Sequence, residues 1–221
     1  MKVCTDACLF GAYVASVIVN EELAVNKCLD IGAGTGLLSL MVAQKISGHI
    51  DAVEIDEAAY QQAGENFAES PWKDRLKIFH ASILDFGGDK KYDCIISNPP
   101  FFEGDLKSDS SIKNAAKHGI TLTLQQLLNV VKDHLKDDGF FAVLLPFHRL
   151  NYCIDEALKL DFHLLKKILV KQTHAHNYYR TVLFFKTVPS DVYSEEIIIK
   201  NELGAYTEMF VGLLKDYYLF L

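Results

Sequence analysis

The chain has 221 residues, half of them hydrophobic and 23% charged, a composition that excludes a disordered protein and favours a single α/β domain over residues 1–221. It contains neither an apolar run long enough to span a bilayer nor a signal peptide, so we expect a cytoplasmic protein with no membrane partner. The net charge of −7 argues against a nucleic-acid partner, although a local basic strip can persist on an acidic protein.

An apolar stretch over residues 7–15 predicts a buried first helix. Thr5 and Asp6 stand just before it, where either side chain is suited to accept a hydrogen bond from the first backbone N–H groups as an N-cap. A residue at such a position can also border a ligand, so both interpretations stay open for this pair.

A short apolar run then leads into a glycine turn, Leu29-Asp30-Ile31-Gly32-Ala33-Gly34-Thr35-Gly36. The glycines let a ligand approach the backbone closely, and the helix that follows offers unpaired N–H groups and a positive dipole end. We therefore expect a nucleotide-like ligand. A dinucleotide fingerprint would place its third glycine one residue later, which argues against NAD.

The next apolar run, residues 50–56, predicts a second parallel strand that carries Glu54 near its carboxyl end. A carboxylate at this position is able to accept hydrogen bonds from both hydroxyls of a ribose held by the glycine turn. A polar-faced helix over residues 57–69 and a third strand over residues 75–80 are expected to follow.

The glycine turn and Glu54 together resemble the S-adenosylmethionine site of class I methyltransferases. The resemblance implies S-adenosyl-L-methionine as the cofactor, with Glu54 on its ribose and the Thr5-Asp6 pair at its methionine end. In the family an acidic or amide side chain often meets the adenine, whereas this chain offers Ser82 and Ile83 there. The cofactor-binding residues implied are Thr5, Asp6, Asp30, Gly32, Gly34, Gly36, Glu54, Ser82, Ile83 and Asn98.

A fourth strand, residues 92–97, ends in the sequence Asn98-Pro99-Pro100-Phe101. Two prolines can form a purely structural strand exit. They also suit catalysis, because the Asn98 Oδ1 and the Pro99 carbonyl can accept both hydrogens of a conjugated amino group and so make its nitrogen more nucleophilic. Phe101 offers a flat face for stacking a planar substrate. These four residues predict amino-group methylation.

The polar segment 103–120 follows this turn and is expected to form one wall of the substrate site, with Lys117 and His118 as candidate phosphate contacts. The remaining pattern predicts a Thr123-capped helix ending at Gly139, a strand at 140–146, a helix at 151–160, an antiparallel pair at 162–170 and 181–186, and a C-terminal strand and helix within 188–221.

Between the last two paired strands lies a basic stretch with interleaved tyrosines. His174 and His176 have no carboxylate or cysteine nearby at a suitable spacing, so we expect no metal site. The stretch instead predicts an RNA contact by Lys171, His174, His176 and Arg180, with a merely solvated hairpin as the alternative.

Five segments together resemble the bacterial tRNA(Val) adenine-37 N6-methyltransferase family: residues 1–7, the glycine turn, the Asn98 turn, 177–180 and 206–208. The resemblance implies a Rossmann-like α/β fold, with a seven-stranded, mostly parallel sheet, an antiparallel closing strand and helices on both faces. It also implies a tRNA substrate whose adenine enters a pocket between Asn98 and Phe101.

Three alternatives remain. N5-methylation of a protein glutamine would use the same Asn-Pro-Pro turn, but such enzymes carry a helical domain before the glycine turn, and only 28 residues precede Leu29 here. N2-methylation of an rRNA guanine is a further option. A non-catalytic module that senses S-adenosylmethionine would not need the Asn98-Pro99 turn.

Overall fold

A computed structural model describes residues 4–88, 90–99 and 122–220. The strands in these ranges are β1 Lys27–Ile31, β2 His49–Glu54, β3 Leu76–His80, β4 Tyr92–Ser97, β5 Leu135–Pro146, β6 His163–Lys171, β7 Tyr178–Lys186 and β8 Tyr193–Ile198. The helices are α1 Thr5–Asn20, α2 Leu37–Ala43, α3 Glu57–Glu69, α4 Leu124–His134, α5 Leu150–Leu158 and α6 Glu208–Leu214.

All of these strands belong to one sheet, in the order β3-β2-β1-β4-β5-β7-β6-β8. The first five are parallel to one another, and β7 runs antiparallel to both of its neighbours, β5 and β6. The predicted α/β class, mostly parallel sheet and antiparallel closing strand are confirmed. The predicted count of seven strands is one too low, because β8 pairs with β6 and extends the sheet.

Helices pack on both faces of the sheet, as predicted, because strand side chains alternate between the faces. On β5, Phe140 and Ala142 pack into one core together with α1, α2 and α6. Phe141 and Val143, the intervening residues, pack into the opposite core together with α4 and α5. All four are nearly or fully buried, so β5 lies at the centre of the molecule.

The bounds of several elements follow from identifiable caps. The predicted helix at 57–69 is confirmed as α3, with the Asp56 carboxylate accepting the Ala59 N–H at 2.8 Å. The predicted Thr123 cap of α4 is also confirmed. That helix ends at His134 rather than at Gly139, because Leu135 already pairs with Tyr92 of β4 and begins β5.

The expectation that Thr5 or Asp6 caps the first helix is wrong. Both residues lie inside the first turn of α1, and the N-cap is Cys4, which makes no side-chain capping hydrogen bond. None of the helices in the described ranges is long and apolar enough to cross a membrane. The cysteines are free, and all but Cys4 are buried.

Candidate active site

The carboxyl ends of β1, β2 and β4 meet at one edge of the sheet, where they border a cavity of about 480 Å³. Open parallel sheets characteristically bind ligands at this edge. The predicted site residues that line the cavity are Asp6, Gly32, Gly34, Glu54, Ser82, Ile83, Asn98, Pro99 and Arg180. Apolar side chains that the sequence analysis did not single out complete much of the wall, among them Ile31, Leu38, Val53 and Leu122.

The glycine turn crosses the floor of this cavity and is fixed to β2. The N–H groups of Gly32 and Ala33 both donate to the Val53 carbonyl, at 2.9 and 3.1 Å. Gly32 has a φ of +71°, and a Cβ added to it would meet nothing within 4 Å. The chain therefore presents bare backbone to the cavity at this point, as the glycine spacing predicts.

Glu54 lies at the end of β2 with only 8% of its surface exposed. Its Oε2 accepts the Gly34 N–H at 2.7 Å, and its Oε1 accepts the Asp56 N–H at 2.8 Å. Each carboxylate oxygen has two lone pairs, so both oxygens retain acceptor capacity toward the cavity. The two backbone contacts hold the carboxylate in a fixed orientation, which suits recognition of a vicinal diol.

Asn98 and Pro99 follow β4 and line the same cavity as Glu54. The buried Ser97 hydroxyl donates to the Ile31 carbonyl at 2.9 Å and so joins the end of β4 to the end of β1. The Asn98-Pro99 turn and the glycine turn are thus attached to adjacent, hydrogen-bonded strands. Pro100 and Phe101, together with the segment 103–120 and its Lys117 and His118, lie outside the described residues.

Comparison with known proteins places this geometry in a family. Residues 10–159 match the model of the methyltransferase small domain. A tRNA1(Val) (adenine(37)-N6)-methyltransferase of Dyadobacter fermentans is 37% identical, over 99% of this chain and 91% of its own length. Its counterpart in Klebsiella pneumoniae is 36% identical, over 100% of this chain and 89% of its own.

The chain belongs to the tRNA1(Val) (adenine(37)-N6)-methyltransferase family. Solved structures show the same fold at lower identity. A predicted O-methyltransferase from Agrobacterium tumefaciens superimposes with a TM-score of 0.70 at 15% identity, covering 95% of both chains. A glycopeptide N-methyltransferase complexed with S-adenosylmethionine gives a TM-score of 0.58 at 13% identity, covering 80% of this chain and 94% of its own.

S-adenosylmethionine is the cofactor of this methyltransferase family, and the cavity fits it. Glu54 would present its oriented carboxylate to the ribose, and Gly32 leaves room for close approach to the backbone. Buried Ile83 would offer an apolar surface to the adenine, whereas the Ser82 hydroxyl accepts the Leu84 N–H at 3.2 Å and so stabilises the local turn. The described residues contain no cluster of three or more side chains suited to hold a metal.

The methyltransferase motif implies that Asp30 and Gly36 bind the cofactor, but neither residue lines the cavity. Asp30 is fully buried and does not line the cavity; its Oδ2 accepts the Ser39 N–H at 3.1 Å and the Ser39 hydroxyl at 2.7 Å. Its Oδ1 has no hydrogen-bond partner among the described residues, and burial raises the pKa of this carboxyl to about 7. Asp30 therefore joins β1 to α2.

Gly36 is the second of these residues and also lies outside the cavity lining. It has a φ of +82°, and a Cβ added to it would lie 2.4 Å from the ring of Phe67 on α3. The third glycine of the motif is thus required for packing against α3. Thr5, too, lies outside the lining, whereas its neighbour Asp6 contributes to it.

The lysine and the arginine of the predicted basic stretch are each paired with a carboxylate. Lys171 lies 3.0 Å from Glu196, and the Arg180 Nε donates to the Asp6 Oδ2 at 2.8 Å. His174 and His176 are exposed in the turn between β6 and β7. No local pattern reveals these carboxylate partners, because Asp6 and Arg180 are 174 positions apart.

Proposed function

We propose that this protein transfers the methyl group of S-adenosylmethionine to N6 of adenine 37 in a cytoplasmic tRNA. The observation that carries the proposal is that Asn98 and Pro99 line the same cavity as Glu54 and the glycine turn. An acceptor pair for an amino group and a binding site for the methyl donor are thus contiguous. Relatives that match nearly the whole chain carry this activity in their names, which supports the choice of substrate.

In this proposal Asn98 and Pro99 activate the nucleophile. The amino nitrogen of adenine is conjugated with the ring, so its lone pair is poorly available until its hydrogens are held away from the ring plane. The Asn98 Oδ1 and the Pro99 carbonyl accept one hydrogen bond each and orient the nitrogen toward the cavity. When bound, S-adenosylmethionine supplies an electrophilic methyl group. The methylated nitrogen then releases its proton to solvent, so no strong base is needed.

The adenine must leave the stacked anticodon loop to reach Asn98, as bases do in other enzymes that modify them. Two of the cations predicted to contact the RNA have carboxylate partners. The charge of Lys171 is partly neutralised by Glu196, and the charge of Arg180 is partly neutralised by Asp6. His174 and His176 remain exposed candidates for the RNA. Phe101, Lys117 and His118 remain predictions of the sequence.

The test incubates the protein with labelled S-adenosylmethionine and unmodified tRNA, followed by nucleoside analysis. We expect N6-methyladenosine in the wild-type reaction and a rate at least about 100-fold lower for Asn98→Ala, the usual scale for loss of a hydrogen-bonding group at the reacting atom. Asn129→Ala is the matched control, because this exposed asparagine donates to the Gln125 carbonyl of its own helix and does not line the cavity.

Two results would contradict the proposal. The first is methylation of tRNA that persists at wild-type rate in Asn98→Ala. The second is label that appears in a protein glutamine or in rRNA guanine when extracts are offered, while unmodified tRNA stays unlabelled.

A further inference from the structure

We infer that Arg180 is a positioning residue of the cofactor site rather than an RNA contact. Its ion pair with Asp6 holds the first turn of α1 against the cavity as a wall. This inference rests on the proposed function only in taking the cavity as the place where S-adenosylmethionine binds.

The pair has the geometry of a specific contact. The Arg180 Nε donates to the Asp6 Oδ2 at 2.8 Å, and the Asp6 Oδ1 accepts the Ala7 N–H at 3.0 Å. The side chains are 27% and 18% exposed, so most of each is shielded from solvent. Both residues line the cavity together with Gly32 and Asn98. Partial burial makes such an ion pair stronger than one on the open surface.

The first turn of α1 needs an anchor of this kind. Further along the helix, Phe10 and Val14 are completely buried and fix it to the sheet. At its beginning, Cys4 and Thr5 are exposed, and the N-cap residue makes no side-chain capping hydrogen bond. Burial of Ala7 and Cys8 fixes the inner side of this turn, and the charge-assisted bond to the Asp6 carboxylate adds an anchor on the side that faces the cavity. Cys4, Asp6 and Ala7 all contribute to the cavity wall.

Sheet topology shows which end of the cofactor this wall faces. Glu54 on β2 receives the ribose, and Ile83 follows β3, so the adenosine half lies over the β2 and β3 side. Arg180 lies on β7, opposite Pro146 of β5, on the other side of β4 and its Asn98. The Asp6–Arg180 pair consequently borders the amino-acid end of the cofactor, next to the site of methyl transfer.

The experiment measures cofactor affinity by calorimetry in the full chain for Asp6→Asn, Arg180→Gln and the double variant. We expect each single change to weaken S-adenosylmethionine binding about tenfold, equivalent to about 1.4 kcal/mol, because the wall loses its anchor. The double variant should bind about as weakly as either single one, since the two residues act as a unit. At saturating cofactor, kcat should stay within about threefold of wild type.

Lys171→Gln is the matched control, because Lys171 is an ion-paired cation of the same strand pair that does not line the cavity. It should leave cofactor affinity unchanged. Arg180→Lys retains the charge without the guanidinium geometry and should fall between wild type and Arg180→Gln. This variant decides the matter if Arg180→Gln does not fold.

Cofactor affinity within about twofold of wild type in both Arg180 variants would overturn the inference, as would additive losses in the double variant. If the Arg180 variants instead lose tRNA affinity while cofactor affinity is unchanged, and the salt dependence of tRNA binding falls in slope by about one, then Arg180 contacts the RNA. These measurements need no knowledge of the methylated base. Failure of the proposed substrate would therefore appear separately, as wild-type binding of cofactor without N6-methyladenosine.

Discussion

Gly36→Ala provides a sharp test of the role that the structure gives to the third glycine of the motif. The residue has a φ of +82°, a region that an alanine adopts only at a cost of about 1–2 kcal/mol. The new Cβ would also lie 2.4 Å from Cε1 of Phe67, closer than any real contact. Phe67 is only 4% exposed, so its ring has little room to move away.

The size of the effect follows from these two contributions. Forcing an extra methyl group into a packed core typically costs about 1–3 kcal/mol, which with the backbone strain makes about 2–5 kcal/mol in total. Single domains are commonly stable by only about 5–15 kcal/mol, so the loss is a large fraction of the whole. Urea-induced unfolding, followed by circular dichroism, measures it directly.

Two other glycines provide matched controls. Gly32 also has a positive φ, +71°, but a Cβ there would meet nothing within 4 Å, so Gly32→Ala should cost only the backbone strain. Gly212 lies in α6 with open space around it, and Gly212→Ala should stabilise the protein by about 1 kcal/mol. If Gly36→Ala costs no more than Gly32→Ala, the packing role assigned to Gly36 is refuted.

Glu54→Gln should weaken S-adenosylmethionine binding by about 10- to 100-fold in calorimetry, because hydrogen bonds to a charged acceptor contribute about 1.5–3 kcal/mol each. Glu57→Gln, in the exposed first turn of α3, is the control, and equal affinities in both variants would exclude the ribose role of Glu54. Asp30 has a pKa raised from 3.8 to about 7, so its proton is bound more tightly in the folded state than in the unfolded one, and the wild type loses stability as the pH rises from about 4 to 7. Asp30→Asn lacks this titration, so its stability relative to wild type should increase between pH 5 and pH 8 in urea unfolding; a constant difference would mean that Asp30 does not titrate there.

The parts of the fold that local sequence patterns determine are the parts that were predicted correctly. Helix α3 has the predicted bounds because Asp56 and Ser70-Pro71 mark both of its ends within a few residues. The α4 helix was predicted to extend too far because the residues after His134 carry no proline and no glycine before Gly139. Its actual end is set by pairing of Leu135 with Tyr92, a tertiary contact that no local pattern encodes.

In the candidate site, too, features set by local sequence patterns were predicted, whereas features set by tertiary contacts were not. Local patterns were enough to predict that Glu54 and Asn98 share a cavity, because each stands at the end of a recognisable apolar strand and the sheet brings those strand ends together. The pairing of Asp6 with Arg180 was missed because the two residues are 174 positions apart in the chain. The interior position of Asp30 was missed because an acidic residue before a glycine turn gives no indication of which way its side chain points.

The Ser97 hydrogen bond to the Ile31 carbonyl has a consequence for how such a protein changes over evolutionary time. It fastens the glycine turn and the Asn98 turn to one another inside the sheet, independently of the connecting segments and surface strands that surround them. Substitutions in those outer segments can therefore alter the surface around the cavity without changing the distance between the two turns. The same sheet architecture recurs in solved structures with as little as 13–15% sequence identity.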